Sequence, residues 1–263
     1  MAGAGSEFAV RSCEHAAVAW ALDLDGVVWL GDQPIPGATE AVGRLQAAGE
    51  PVVFVTNNSS VPVGEVEAKL ARQGIAATGA VLTSAMAAAE LVHPGEVALV
   101  CAGPGVDEAL AARGVHTVRD GKADVVVVGF HRDFDYGRLQ AASTAVRAGA
   151  RLLATNDDAT YPTPDGLIPG GGAILAAVST ASGVQAEVAG KPHQAMADLL
   201  RARVGDDGVM VGDRADTDGR FALALGYRFA LVLSGVTTEL PVVPEPDLVA
   251  ADLAALVDQE LSR

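Results

Sequence analysis

Residues 16–22, Ala-Ala-Val-Ala-Trp-Ala-Leu, are apolar without interruption and stop at Asp23-Leu24-Asp25-Gly26-Val27. A run this short and apolar, closed by acid and glycine, reads as a strand buried on both faces of a parallel sheet. In open α/β sheets, ligands bind just beyond the carboxyl ends of such strands. Burying Asp23 and Asp25 there without a cation would cost on the order of several kcal/mol each. The cation that suits a few carboxylates plus a phosphate is Mg²⁺. An Asp also serves as a nucleophile that forms an aspartyl-phosphate. Asp and Gly are common turn formers as well, so on these residues alone an ordinary acidic turn stands as an equal alternative.

Strand and helix patterns alternate through almost the whole chain, which predicts an α/β fold with a parallel sheet. Residues 38–48 read as a helix and 51–55 as the next strand, running into Thr56-Asn57-Asn58-Ser59-Ser60. Pro62 is expected in the first turn of the following helix, with Ser60 as its cap. From about Gly79 the pattern restarts, with strands at 97–100, 124–129 and 151–154. A long loop through Asp165 to Gly172 and a helix over 173–182 close this module. A helix over 194–202, a strand at 208–211, further strands near 229–233 and 247–249, and a helix over 253–261 complete the chain. The organisation expected is a Rossmann-like core, residues 1–78 and 188–263, with an α/β cap inserted over 79–187.

With 263 residues, 50% of them hydrophobic and 19% charged, the chain has enough apolar material for a large core plus an inserted lobe. No apolar run approaches the roughly 20 residues needed to span a bilayer. Residues 1–15 carry Glu7, Arg11 and Glu14 and do not read as a secretory signal. Cys13 and Cys101 form neither a metal-ligand pattern nor a disulfide framework, so a reducing cytoplasm is expected. A net charge of −15 argues against nucleic acid or an anionic membrane as partner. A small phosphorylated molecule stays compatible, because local Mg²⁺ and Lys outweigh a diffuse field.

A second acidic loop, Gly212-Asp213-Arg214-Ala215-Asp216-Thr217-Asp218-Gly219, again follows an apolar strand. On one sheet edge with the first loop, Asp213 becomes a third carboxylate for the metal, with Asp218 or Asp216 supporting it from behind. Thr56 and Asn57 end the second strand on the same edge, where a hydroxyl and backbone N–H groups hold phosphate oxygens. Taken alone they are a helix-entry loop. Lys191, before Pro192, offers a point charge for a nucleophile and a transferring phosphoryl group, although a lone Lys is ordinarily a solvated surface residue. His131 and His193 show no metal-ligand spacing. Gly103-Pro104-Gly105 lacks the third glycine of a dinucleotide fingerprint and reads as a strand-to-helix turn.

The ordered set is Asp23-Leu24-Asp25-Gly26-Val27, Val55-Thr56-Asn57-Asn58-Ser59, Ala189-Gly190-Lys191-Pro192 and Val211-Gly212-Asp213-Arg214. It resembles the haloacid-dehalogenase-superfamily phosphatases, and within them subfamily IIA, whose large α/β cap lies between the second and third motifs. The stretch Ala154-Thr155-Asn156-Asp157-Asp158-Ala159-Thr160-Tyr161-Pro162-Thr163 is similar to that branch too. The resemblance implies Asp23 as nucleophile and Asp25 as general acid, then general base. It implies Thr56 and Asn57 as phosphate-binding and Lys191 as the stabiliser of charge. Mg²⁺ is then held by Asp23, the backbone carbonyl of Asp25, and Asp213, with Asp218 behind. The activity implied is hydrolysis of a small phosphate monoester through an aspartyl-phosphate, with specificity in cap residues such as Asn156, Asp158 and Thr160. A homodimer through the cap is compatible with this reading. A phosphomutase or another hydrolase of the superfamily is the alternative, and a receiver-like phospho-accepting module a more distant one. No residue selects among sugar, glycerol, glycolate, pyridoxal or nucleotide phosphates.

Overall fold

Short apolar runs separated by glycine- and proline-marked turns assemble into two parallel sheets facing each other across one layer of helices. The computed structural model describes residues 18–163 and 165–262; the expectations for residues 1–15, Cys13 included, lie outside them. The first part of the chain comprises β1 (Ala19–Leu22), a hairpin of β2 (Trp29–Leu30) and β3 (Gln33–Pro34), α1 (Ala38–Ala47), β4 (Val52–Thr56), α2 (Val63–Arg72), β5 (Val81–Thr83) and α3 (Ser84–Glu90). The middle part runs β6 (Val97–Cys101), α4 (Pro104–Ala112), β7 (His116–Val118), β8 (Val125–Val128), α5 (Tyr136–Arg147) and β9 (Arg151–Ala154). It continues with β10 (Thr160–Thr163), β11 (Gly166–Pro169), α6 (Gly171–Ser182) and β12 (Glu187–Val188). The last part is α7 (Gln194–Val204), β13 (Gly208–Gly212), a π-helical turn (Ala215–Gly219), α8 (Arg220–Leu225), β14 (Arg228–Val232), β15 (Leu248–Ala250) and α9 (Leu253–Leu261).

The first sheet has the order β15-β14-β13-β1-β4-β5, and the second β12-β9-β8-β6-β7. Successive residues of a strand point to opposite faces, and the apolar clusters follow that period. Trp20, Leu22 and Phe54 pack on the outer face of the first sheet with α1 and α9, while Ala21, Val53 and Val55 face inward. Ala98, Val100, Val125 and Val127 of the second sheet face the same inner layer, and Leu99, Val126 and Val128 pack outward against α5 and α6. The inner layer is built from α3, α4, α7 and α8.

β5 pairs with β4 in the first sheet, and the second sheet opens at Val97. Gly79 marks a turn, and a turn does not tell which sheet the next strand joins. Two expectations need correction. Pro62 precedes α2 without a side-chain cap; the Val63 N–H is satisfied by Glu108 of α4, while Ser60 binds back to Asn58. The segment expected as a long loop before α6 is an antiparallel hairpin, β10 with β11. Among the described residues no helix is long and apolar enough to cross a membrane.

Candidate active site

Chain order reverses at β1: β4 and β5 build out on one side, and β13, β14 and β15 on the other. Such a switch point leaves a crevice at the carboxyl ends of the central strands. Leu22 lies opposite Val211, and the Asp23 N–H donates to the Val211 carbonyl at 2.9 Å. Asp23 and Asp213 therefore leave neighbouring strands side by side. Gly26, at φ 90°, faces Asp213 so closely that a Cβ would fall on its carboxylate. That combination of left-handed backbone and close approach admits only glycine.

Asp218 arrives by a different device. In the π-helical turn after Arg214, the Gly219 N–H reaches back five residues to the Arg214 carbonyl at 3.2 Å. The widened turn folds Asp218 over Gly212, where any Cβ would collide with its carboxylate. Asp218 Oδ2 accepts from the Arg214 N–H at 3.2 Å, and Oδ1 accepts from Lys191 Nζ at 2.7 Å. Asp216 points the other way and pairs with Arg214 at the surface, 3.0 Å away, so only Asp218 of the two stands behind Asp213.

Lys191 is buried, and its ammonium bridges Asp218 and Asp23, the latter at 2.8 Å. Its main chain is clamped from β4 by the Asn57 amide. Asn57 Oδ1 accepts from the Lys191 N–H at 2.8 Å, and Nδ2 donates to the Lys191 carbonyl at 2.9 Å. Thr56 is also buried, and its Oγ1 accepts from the Asn58 N–H at 3.0 Å, leaving the hydroxyl proton for another acceptor.

One carboxylate oxygen from each of Asp23, Asp213 and Asp218 lies within 4.8 Å of the others. Three carboxylates against one ammonium leave two negative charges uncompensated. Burial, with Asp218 and Asp23 adding repulsion, pushes the Asp213 carboxyl up to about 8. Burial raises Asp218 to about 6 against the pull of Lys191, and raises Asp23 against the same pull. Burial disfavours the Lys191 ammonium, but Asp218 and Asp23 outweigh it and lift its pKa above the ordinary lysine value. Asp213 Oδ2 accepts from the Val236 N–H at 2.6 Å, yet its buried Oδ1 has no partner. An orphaned buried carboxylate oxygen beside a doubly negative cluster fits a hard divalent cation held by oxygen ligands.

The Asp25 carboxylate is not part of that trio. Its Oδ1 accepts from the Trp29 indole N–H at 3.1 Å. Burial raises its pKa, against the pull of Lys69, the indole, Lys191 and Tyr161.

Opposite this edge, the loop after β9 and the β10–β11 hairpin close the cleft. Asn57 Nδ2 donates to Asp158 Oδ2 at 2.9 Å, Asn156 Nδ2 donates to the Asn57 carbonyl at 2.8 Å, and Ser59 and Thr155 hydroxyls meet at 2.8 Å. Asn58 Nδ2 donates to the Tyr161 hydroxyl at 3.3 Å, and Tyr161 stacks on Phe130 with ring centroids 5.3 Å apart. Asp23, Asp25, Thr56, Asn57, Lys191, Asp213 and Asp218 thus line one cleft with Asn156, Asp158 and Thr160. Asn156 is buried, and both ends of its amide are engaged, with Asn57 and with the Asp158 N–H. His131 and His193 stand outside the acidic cluster, His131 with its Nδ1 2.9 Å from the Gly129 carbonyl. Sequence reasoning missed Trp29, Phe130 and Tyr161. In a chain with only 4% aromatic residues, an aromatic beside an acidic motif was the available signal.

Comparison with known proteins agrees with this geometry. Residues 20–116 match the family of haloacid dehalogenase-like hydrolases, and residues 188–256 match a second, HAD-hydrolase-like family. The D-glycerol 3-phosphate phosphatase of Mycobacterium tuberculosis is 40% identical over 226 residues, which are 82% of this chain and 63% of that protein. The chain therefore spans less than two thirds of that relative. An acid sugar phosphatase of Staphylococcus saprophyticus is 37% identical over 232 residues, 84% of this chain and 88% of the relative. Among solved structures, a glycerol phosphate phosphatase of M. tuberculosis in complex with magnesium superposes with a TM-score of 0.84 at 37% identity, over 91% of this chain and 76% of the other. A 4-nitrophenylphosphatase of Thermotoga maritima gives a TM-score of 0.84 at 30% identity, over 92% and 97%.

Proposed function

The chain belongs to the haloacid dehalogenase-like hydrolases, of the subfamily IIA type, and we propose that it is a Mg²⁺-dependent phosphatase acting on small-molecule phosphate monoesters. The observation that carries this reading is Lys191 bridging Asp23 and Asp218 beside the unpartnered oxygen of Asp213. Asp23 and Asp213, with the main-chain carbonyl of Asp25, would hold the metal. Both Asp218 oxygens already accept hydrogen bonds, which suits support rather than ligation. Mg²⁺, when bound, would neutralise charge on the phosphoryl oxygens.

The chain's own groups account for the rest of the reaction. An Asp23 carboxylate oxygen attacks phosphorus and the ester P–O bond breaks, while Asp25 gives its proton to the departing oxygen. A water then attacks the aspartyl-phosphate, the Asp25 carboxylate takes its proton, and the P–O bond to Asp23 breaks to release phosphate. Lys191 stays charged throughout and offsets charge on the phosphoryl group. The Thr56 hydroxyl supplies a hydrogen bond to a phosphate oxygen. Asn57 contributes through its main chain, because its side chain is spent on Lys191 and Asp158.

The leaving group would face Phe130, Thr160 and Tyr161, and substrate choice is assigned there and to Asp158. Kinship with a D-glycerol 3-phosphate phosphatase and an acid sugar phosphatase supports a small polyol phosphate as the first substrate to test. The test is phosphate release by the purified chain from a panel of polyol, sugar, glycolate, pyridoxal and nucleotide phosphates, with Mg²⁺ and with chelator. Metal-dependent turnover that disappears in Asp23→Asn supports the reading. Undiminished turnover in chelator, or in Asp23→Asn, overturns it.

A further inference from the structure

Asp25 sits in a socket formed by the segment after β1 and by α2. The Gly26 N–H donates to the Trp29 carbonyl at 2.7 Å, and the Trp29 N–H donates to the Leu24 carbonyl at 3.1 Å. This tight winding returns the Trp29 ring to the Asp25 side chain, where the ring is buried and its N–H meets Oδ1. From α2, Lys69 places its ammonium 4.1 Å from the centre of the Trp29 ring. Lys69 is itself tethered, donating to the Gly31 carbonyl at 2.6 Å and lying 3.6 Å from Asp32. One cation thus fixes both the ring and the turn that follows it.

An indole N–H only donates. Oδ1 accepts from it whether or not Asp25 carries a proton, and because the carbonyl oxygen of a carboxyl group is the stronger acceptor, this favours the proton on Oδ2. We propose that Trp29 is a positioning residue that fixes the Asp25 carboxyl so that its transferable proton lies on Oδ2, with Lys69 holding the ring in register. This rests on the proposed phosphatase reaction with Asp25 as its general acid. As the ester P–O bond breaks, its electron pair stays on the leaving oxygen, which takes the proton from Oδ2. A carboxyl freed from the indole rotates, and for part of its population the proton points away from the leaving group. The cation over the ring also favours this arrangement by attraction to the ring face.

The consequence depends on the leaving group. An alkoxide needs the proton as it departs, whereas a 4-nitrophenolate departs well without it. The experiment follows phosphoenzyme formation in a single turnover, with Mg²⁺, from glycerol 3-phosphate and from 4-nitrophenyl phosphate. Trp29→Phe keeps a ring and removes the donor. It is expected to slow formation from the alkyl ester about tenfold or more, and from the aryl ester less than about twofold, with KM for both nearly unchanged. Replacing the Trp29 indole by benzothiophene, which keeps the ring volume, should reproduce the split. Lys69→Met should show it more weakly. Equal slowing from both esters, or no slowing from the alkyl ester in the benzothiophene variant, overturns the positioning role. Asp25→Asn measured alongside separates the two levels. If it fails to discriminate the esters, the general-acid reading falls as well; if it discriminates and the Trp29 variants do not, only the role of Trp29 falls.

Discussion

Asp213→Asn should stabilise the metal-free protein and remove its stabilisation by Mg²⁺. Without metal the folded Asp213 carboxyl titrates near 8, whereas the unfolded one titrates near 3.8. Between those values the folded state binds a proton that the unfolded state does not. The contribution of this group is therefore fully present below the unfolded pKa and is lost as pH rises through the folded one. At pH 7.5 nearly all of the loss has occurred, a gross penalty on the order of several kcal/mol. Asn carries no charge and places an amide where the unpartnered Oδ1 lies, in the same cluster as the carboxylates of Asp23 and Asp218. Allowing for an imperfect amide fit, a net gain of about 2 kcal/mol is expected. For a chain of this size that corresponds to a rise in Tm of roughly 4–8 °C. Mg²⁺ at one hundred times its Kd should add about 2.7 kcal/mol to the wild type and almost nothing to the variant. Thermal melts of both proteins at pH 7.5, in chelator and in Mg²⁺, measure all four states. A variant that melts below the wild type in chelator would refute the uncompensated-charge argument. A variant that gains as much from Mg²⁺ as the wild type would refute Asp213 as a ligand.

Lys191→Met leaves Asp23 and Asp218 buried without their counterion and should cost about 3–5 kcal/mol in chelator, measured by urea unfolding. Mg²⁺ should recover part of that loss but not phosphate release; equal destabilisation with and without Mg²⁺ would show that metal and ammonium do not share the same charges. Asn57→Ala removes three side-chain hydrogen bonds, two of them to the Lys191 main chain, and should cost about 3 kcal/mol. Turnover should fall while Mg²⁺ affinity, read from the metal-induced shift in Tm, stays close to wild type.

The parts of the molecule buried on both faces were legible in the sequence. Residues 19–22, 125–128 and 208–212 are apolar throughout because a central parallel strand meets helices on either side, and each was readable as a strand. Two such strands ending in acid allowed Asp23 and Asp213 to meet on one sheet edge, and the pairing of β1 with β13 is what brings them side by side. The β10–β11 hairpin was hidden because neither strand is buried and Pro162 and Pro169 both read as breakers. β5 has three residues, too few for its pattern to say which sheet it joins. Strand-end spacing alone left Asp218 and Asp216 both open, and only the family resemblance singled out Asp218. Ordinary helical spacing does not anticipate a π-helical turn, which costs one residue of register and decides which acid faces Lys191.

The polar contacts between the two halves of the cleft left no periodic trace, because they join short loops about one hundred residues apart. Their arrangement still follows from the position of Asn57. One amide holds the Lys191 main chain on one side and Asp158 on the other, so the charge proposed to face the phosphoryl group and the wall proposed to face the leaving group share one anchor. Asn58 and Ser59 extend the same contact to Tyr161 and Thr155. Burial raises the pKa of Asp158, against the Asn57 hydrogen bond and the charges of Arg214 and Lys191, so its ionised form depends on those neighbours remaining in place. A displacement of the β10–β11 hairpin would pull on Asp158 and Tyr161, and through Asn57 on the segment that carries Lys191. The main chain of Asp23, Asp213 and Asp218 is set by the strand ends and the π-helical turn, and the Lys191 ammonium bridges Asp23 and Asp218. The fold thereby sets the carboxylates proposed to hold the metal on the core and ties Lys191 to the lobe proposed to enclose the substrate.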